Sequence, residues 1–497
     1  MQKITASRIL GLILISAAVS VASITSKSLW VDELGTWNIS QAAPWSLWAQ
    51  KLWNHFNSDG QLPVYHAFIK LWVDAGGDNT AYLRASNTPW LLLTLLGLLR
   101  LPLKNEKTAW LVIFFFCINA FTWYYLNELR PYIILQAGAA WFLVGTWRLA
   151  ISPVDDHTTV DTSTREILLG IVVMIAGNIL GAFWIASTLL AFLIFLPASL
   201  LASLKSLARN WWLTLAFVVV LGGMLVVAMH SFVSGARASQ LAEFSLAGFG
   251  YGLIELTGAS GLGPSRHQLR TDIANISWAQ VIAMASLAGL IGVLTFASWL
   301  SIPKHKHKLL ILVAAVLPLL IMIGVGILLH WRVVGRHLSV TFPLIAIALA
   351  FFAARAFDAG GRPWRKILVT GITIGLLCSS LTIRLAERHE KDDYAQAAQW
   401  AKDALAARES VLWVAAPEGL AYYKVATSVQ DIPATPLLYT YSDFQARMPP
   451  DTWPTHIVKT YREGVDPKGL TDHLLASQKY ELVGKATTFE HFRIKTP

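Results

Sequence analysis

A chain of 497 residues in which 55% are hydrophobic and only 14% charged is not a string of soluble domains, which carry about 25% charge. Its mean hydropathy of +0.51 places most of it in lipid. The net charge of +10 does not signal nucleic acid, because the basic residues punctuate apolar runs instead of forming a stripe. Cys117 and Cys378 both fall inside apolar runs, so they do not make a disulfide framework.

In chain order, runs that meet the roughly 20-residue criterion for a membrane span fall at 8–25, 82–100, 108–127, 131–149, 166–183, 185–203, 211–230, 278–299, 309–330, 338–355 and 367–384. The fold class is therefore an α-helical polytopic membrane protein with about 11 spans. The pair at 166–203 is the least regular. Only Gly181 to Ile185 separates its halves, and one span plus a re-entrant piece is the other reading. The first run reads as a retained span and not a cleaved signal peptide, because it is long for the apolar core of one. Basic residues set the orientation. With the N-terminus cytoplasmic, every inner connection carries at least two of them: Arg100, Lys104 and Lys107; Arg148 and Arg165; Lys205 and Arg209; Lys304, Lys306 and Lys308; Arg355, Arg362, Arg365 and Lys366.

Three outer segments are then long. The first, 25–81, contains Trp45, Trp48, Leu52 and Trp53 at helical spacing, which predicts a helix along the membrane surface. The second, 231–277, includes the run Gly258 to Pro264 and is expected to be irregular and mobile. The third is everything after Arg384. There, 387–407 reads as an amphipathic helix, 410–415 as a buried strand, 420–424 as a helix and 480–483 as another strand. This divides the chain into a membrane module over 1–384 and a small extracytoplasmic α/β domain over 385–497.

Asp32 and Glu33 stand where the chain leaves its first span. They are either solvated loop carboxylates or a base at the membrane boundary with an acid beside it. Two carboxylates are too few for a metal site. If a divalent metal is held here, Asp32, Glu33 and His55 are its ligands, with Asp59 and His66 in the same loop. Asp59-Gly60 followed by Pro63 is a turn, and the apolar and aromatic residues after it predict a helix. Tyr65 and His66 on that helix are substrate contacts or plain interfacial residues. At Asn127 to Tyr132, Glu128 either neutralises Arg130 or steadies it against a phosphate. Arg84, Arg130, Arg237, Arg266, Arg270, Arg332 and Arg336 all fall on or near the outer face, against the positive-inside bias. Guanidinium forks suit phosphate oxygens, so a phosphate-bearing lipid at the outer leaflet accounts for several together. Ion pairs with Asp32, Glu33, Glu128, Glu243, Glu255 or Asp272 account for others.

A first span followed by Trp30-Val31-Asp32-Glu33 resembles the GT-C membrane glycosyltransferases, in particular the protein O-mannosyltransferases and the lipid A aminoarabinose transferase. Asp59 to Tyr65 is similar to their Asp-x-x-x-Pro-Pro-Leu-Tyr segment, with Leu62-Pro63 for Pro-Pro. Tyr82 to Ser86 is similar to their Arg-x-x-Ser, with the serine one residue early. Arg130-Pro131-Tyr132 resembles Ala-Arg-Pro-Tyr, with Leu129 for Ala. Gly335-Arg336-His337-Leu338 with Pro343 resembles a late Arg-Tyr segment, with His337 for Tyr. The resemblance covers 8–150, and 330–425 more loosely. It implies a polyprenyl-phosphate-linked sugar donor, a glycan, lipid or protein acceptor, and a bacterial inner membrane location. By the same resemblance Asp32 is the base, supported by Glu33. Arg130 and Arg336 hold the lipid phosphate, and Arg84 binds phosphate or orients the first loop. Tyr65, His66, Tyr132 and Arg266 complete the substrate set. A flippase of a lipid-linked saccharide and a non-catalytic envelope-glycan assembly component are the alternatives. A transporter more often shows intramembrane charges and paired halves.

Overall fold

The computed structural model describes residues 5–54, 63–103, 105–233, 244–271, 273–328, 330, 332–358, 361–425, 438–440, 453–460, 472 and 475–495. Helix α1 (Ala6–Ser23) is followed by α2 (Val31–Ser40), α3 (Trp45–Trp53), α4 (Pro63–Gly76) and α5 (Thr80–Ala85). Then come α6 (Thr88–Leu99), α7 (Glu106–Cys117), α8 (Ala120–Leu126), α9 (Tyr132–Ile151), α10 (His157–Gly177), α11 (Gly181–Phe195), α12 (Pro197–Arg209) and α13 (Trp211–Val233). After these stand α14 (Leu246–Thr257), α15 (Gln268–Thr271), α16 (Trp278–Leu300), α17 (His305–Leu328), α18 (Phe342–Phe357) and α19 (Pro363–Leu385), with a 3₁₀ segment at Gly335–Thr341 leading into α18. The rest holds α20 (Tyr394–Ala406), α21 (Pro417–Tyr422) and strands β1 (Val411–Val414), β2 (Leu438–Thr440), β3 (His456–Thr460), β4 (Tyr480–Ala486) and β5 (Phe489–Ile494).

Helix α1 shows what solvent these helices meet. Leu12, Ser16, Ser20 and Ser23 face inward, while Leu14 and Val21 are 61% and 81% exposed. Hydroxyls inside and aliphatics outside reverse the pattern of a surface helix in water. The arrangement suits lipid, where small residues let helices approach closely. Helix α12 repeats it: Ser199, Ala202, Ser203 and Ser206 point inward, Leu201 and Leu204 outward. Its Ser203 hydroxyl bonds that of Thr164 on α10 at 2.9 Å.

Among the described residues, seven helices are long and apolar enough to cross a membrane, or up to nine if each of two bent pairs, α7–α8 and α11–α12, is one span. The chain is an α-helical polytopic integral membrane protein. The other two predicted runs land on α6, only 12 residues long, and on α10, which carries Asp161, Arg165 and Glu166. The run 185–203 is not straight. It turns by 119° between α11 and α12, because Pro197 offers no N–H and forces Leu196 out of helical geometry, to φ −140° and ψ 52°.

The second long segment differs from its expectation. Residues 246–257 form a helix despite three glycines, and the glycine-rich turn after it is pinned. Ser379 Oγ accepts from Gly261 N–H and donates to Gly258 O, and Arg388 donates to the carbonyls of Gly261 and Gly263. The helix predicted over 387–407 begins later, at Tyr394, where the Asp393 carboxylate caps it by accepting from Gln396 N–H at 3.1 Å.

The sheet runs β2-β1-β3-β5-β4. β1 pairs parallel with β2 and β3, and β5 pairs antiparallel with β3 and β4. Leu412, Val414, Ile457 and Tyr480 pack one face. Tyr394 of α20 meets the ring of Phe489 edge-on at 4.8 Å. The chain clusters into two compact units. One is Met1–Thr25, Ala43–Gly77 and Tyr82–His389; the other is Ser26–Ala42, Asp78–Ala81 and Glu390–Pro497. Helix α2, with Asp32 and Glu33, thus belongs to the unit of the sheet.

Candidate active site

The acidic pair opens α2. Both carboxylates lie in its first turn, where the helix dipole favours negative charge. Their surroundings differ. Glu33 is fully buried, and its Oε2 accepts from the Trp30 N–H at 3.2 Å, closing the helix start. Asp32 is half-buried, and its backbone carbonyl takes the Thr36 hydroxyl at 3.1 Å. Glu33 thus helps to build the helix start, and Asp32 stands beside it at a partly exposed position.

The cationic set lies in the other unit. Arg266 donates through Nε and Nη2 to the two oxygens of Glu255 at 2.6 and 2.8 Å, and through Nη2 to the Tyr125 hydroxyl at 3.0 Å. Its guanidinium also stands 4.9 Å from the Tyr124 ring centroid. Ser265 and Gln268 bracket it with reciprocal backbone–side-chain bonds of 3.0 Å. The Arg336 guanidinium stands 5.8 Å from the centroid of Tyr132, whose ring packs on Tyr125 at 4.8 Å. Tyr125 and Tyr132 thus link Arg266 to Arg336. Two glycines permit it. A Cβ on Gly335 would lie 2.2 Å from Glu255 Oε2, and one on Gly252 would lie 2.8 Å from the Gly335 nitrogen.

The other predicted residues fall as follows. Glu128 and Arg130 are buried. Arg84, also buried, donates to the Thr25 carbonyl at 3.1 Å and its hydroxyl at 3.2 Å, which fastens the exit of the first span. Tyr65 and His66 are buried on α4 with ring centroids 5.6 Å apart. One helical turn on from His66, the sequence reading missed Lys70. It is only 2% exposed, bonded to Asp74 at 3.1 Å and 5.2 Å from the Trp45 ring centroid; a lone lysine in an apolar helix was the available signal. Tyr124 and Tyr125 were missed as well, hidden at the end of an apolar run. His55, Asp59, Arg237, Glu243 and Asp272 lie outside the described residues, as does the side chain of Arg270. Among the described residues no three His, Cys, Asp or Glu side chains gather as a metal site would need.

A helical polytopic protein with this sheet appended has the GT-C membrane fold. The fold is that of ArnT from Cupriavidus metallidurans. Its crystal structure bound to undecaprenyl phosphate superposes with a TM-score of 0.51 and 12% identity, over 98% of each chain. The same protein in the apo state gives a TM-score of 0.49 and 10% identity, over 98% of this chain and 97% of that one. At such identity the likeness establishes the fold, and the undecaprenyl-phosphate complex carries it. No protein-family model and no curated sequence matches the chain.

Proposed function

We propose that the chain is a GT-C-type glycosyltransferase that moves a sugar from a polyprenyl-phosphate donor to an acceptor hydroxyl at the extracytoplasmic face of a bacterial inner membrane, its N-terminus cytoplasmic. The observation that carries the reading is the cluster of Arg266, Glu255, Arg336 and three tyrosines, in a chain with the fold of a protein that binds undecaprenyl phosphate. Arginines held by carboxylate and tyrosine are preorganised for phosphate oxygens.

In this reading Asp32 takes the acceptor hydroxyl's proton. The oxygen bonds to the anomeric carbon, the bond from that carbon to the phosphate oxygen breaks, and its electron pair leaves with the phosphate. Arg336, Arg130 and Arg266 stabilise the charge that develops there. Phosphate departs without a proton, so the general acid of glycoside hydrolysis is not required. A single displacement inverts the anomeric carbon. Glu33 steadies the base, Arg84 orients the chain entering its loop, and Tyr65, His66 and Tyr132 line the donor. The acceptor is a glycan, a lipid or a protein.

The test is turnover by the purified protein in detergent, with a polyprenyl-phosphate sugar identified from lipids that accumulate in a deletion strain. Asp32→Asn is expected to lower the rate by about 10²–10⁴-fold, the usual contribution of a general base, while donor binding persists. Unchanged turnover in that variant, or transport of the donor without transfer, would falsify the reading.

A further inference from the structure

The sheet domain takes no part in the chemistry above, yet the helix that carries Asp32 is built into its unit. The attachment converges on a pair of hydroxyls. The Tyr423 hydroxyl, just past the end of α21, accepts from the Leu29 N–H at 3.1 Å and lies 3.0 Å from Ser28 Oγ. Ser28 Oγ donates to the Leu29 carbonyl at 3.2 Å and accepts from the Ala395 N–H of α20 at 3.1 Å. All four bonds are satisfied at once when Tyr423 donates to Ser28. The segment that feeds α2 is therefore fixed by directional bonds from two elements of the sheet domain. Leu29 is fully buried, and one residue later the Trp30 N–H bonds Glu33, so the constraint passes into the first turn of α2. Further along, Trp37 of α2 meets the Tyr422 ring edge-on at 4.9 Å.

An apolar contact would hold α2 on the domain as firmly, but not at a set backbone position. Hydrogen bonds are selective in distance and angle, and a general base must lie within hydrogen-bond reach of its proton. Asp32 lies three positions after Leu29, less than one turn of helix. A shift at Leu29 is thus felt at the carboxylate.

We infer that Tyr423 is a positioning residue for Asp32: its hydroxyl, supplied by the C-terminal domain, fixes the backbone leading into α2 and with it the reach of the carboxylate. This rests on the reading of Asp32 as the base. It gives the domain a role in catalysis without contact with the substrate.

The experiment compares Tyr423→Phe, Ser28→Ala, the pair combined, and Asp32→Asn in steady-state kinetics with the full-length protein. Tyr423→Phe keeps the ring and removes the bonds. Its kcat is expected to fall about 10- to 100-fold, the scale of a 1 Å misplacement, with the donor KM and the Tm unchanged. Ser28→Ala should do the same, and the double variant should be no worse than either single. Equal loss of kcat and Tm, or a raised KM with kcat intact, assigns Tyr423 to folding or binding and overturns the inference. If Tyr423→Phe cannot be purified, Ser28→Ala decides alone by the same criteria. An active Asp32→Asn removes the underlying reading. An inactive Asp32→Asn beside fully active Tyr423→Phe and Ser28→Ala removes only the inference.

Discussion

Arg266 shows what a half-buried guanidinium facing a buried carboxylate requires. Its fork is matched by two oxygens of Glu255, and one of its nitrogens also reaches Tyr125, 141 residues away in sequence. Removing one partner of such a pair strands the other charge, at a cost of about 3–5 kcal/mol. Arg266→Ala should therefore lower the Tm in detergent sharply. Arg266→Lys keeps the charge but cannot span both Glu255 oxygens and the tyrosine. It should stay folded while losing most of its turnover, and an Arg266→Lys enzyme of normal activity would mean that the fork is dispensable. Single residues of this kind were partly legible. Arginines outside the basic connections between apolar runs announced themselves in the sequence, and Glu255 stood among their possible partners. The tyrosines did not, because an aromatic at the end of an apolar run looks like any interfacial ring until distant elements fold around it. Glu33 stands beside Asp32 in sequence, and its carboxylate bonds the backbone one helical turn back.

Helices α9 and α10 pack backbone against backbone. A Cβ on Gly170 would lie 2.3 Å from the Phe142 nitrogen, and one on Gly138 would lie 2.3 Å from the Met174 nitrogen. Without water to drive helices together, such close approach is a main source of their association in lipid. Gly170→Val forces the pair apart, at a cost on the scale of overpacking, about 1–3 kcal/mol. It should reduce yield and Tm, whereas Gly371→Val on α19, where a Cβ meets open space, should do neither. Equal effects from the two would show that the α9–α10 contact does not govern stability. Elements of this kind were the most legible part of the chain. Hydrophobic runs located the spanning helices because lipid demands continuous apolar sequence. The exceptions are bends and short helices. The turn at Leu196–Pro197 sits inside a run that stays apolar throughout, so hydropathy passes over it. Helix α14 was hidden because three glycines in 12 residues argue against a helix, and its tertiary contacts override that preference. Strand β5 went unseen as well; Phe489, His491 and Arg493 alternate with Glu490 and Phe492 without a clear polar face.

At the scale of the molecule, the sequence foretold a sheet-bearing domain after the last span but not that residues 26–42 join it, since long-range pairing leaves no local trace. Each unit holds a histidine that burial keeps neutral, and the two together give a pH dependence. In the helical unit, burial and the neighbouring Arg388 charge push His389 down to about 4, against the pull of its bond to Gly261 O at 3.1 Å. In the sheet unit, burial pushes His491 down to about 4, with the positive charges of His456 and Arg493 adding to it and Asp403 opposing. His491 Nε2 lies 2.9 Å from His456 Nδ1, and His456 bonds Glu409 at 2.6 Å. Bonds from His456 and Arg493 hold Glu409 below its usual range despite partial burial. A histidine that binds its proton less readily when folded takes it up first in the unfolded chain, where its value stays near 6.5. Its contribution to stability is complete above that pH and disappears as the pH falls through 4. Glu409 contributes in the same direction at still lower pH. The Tm should therefore decline on acidification from pH 7 toward 4.5. His491→Gln should flatten the part of that decline that hydrogen exchange maps to β3 and β5, and His389→Gln the part that maps to the turn at 258–264. A decline of the same depth in both variants would place the acid sensitivity elsewhere, among the carboxylates.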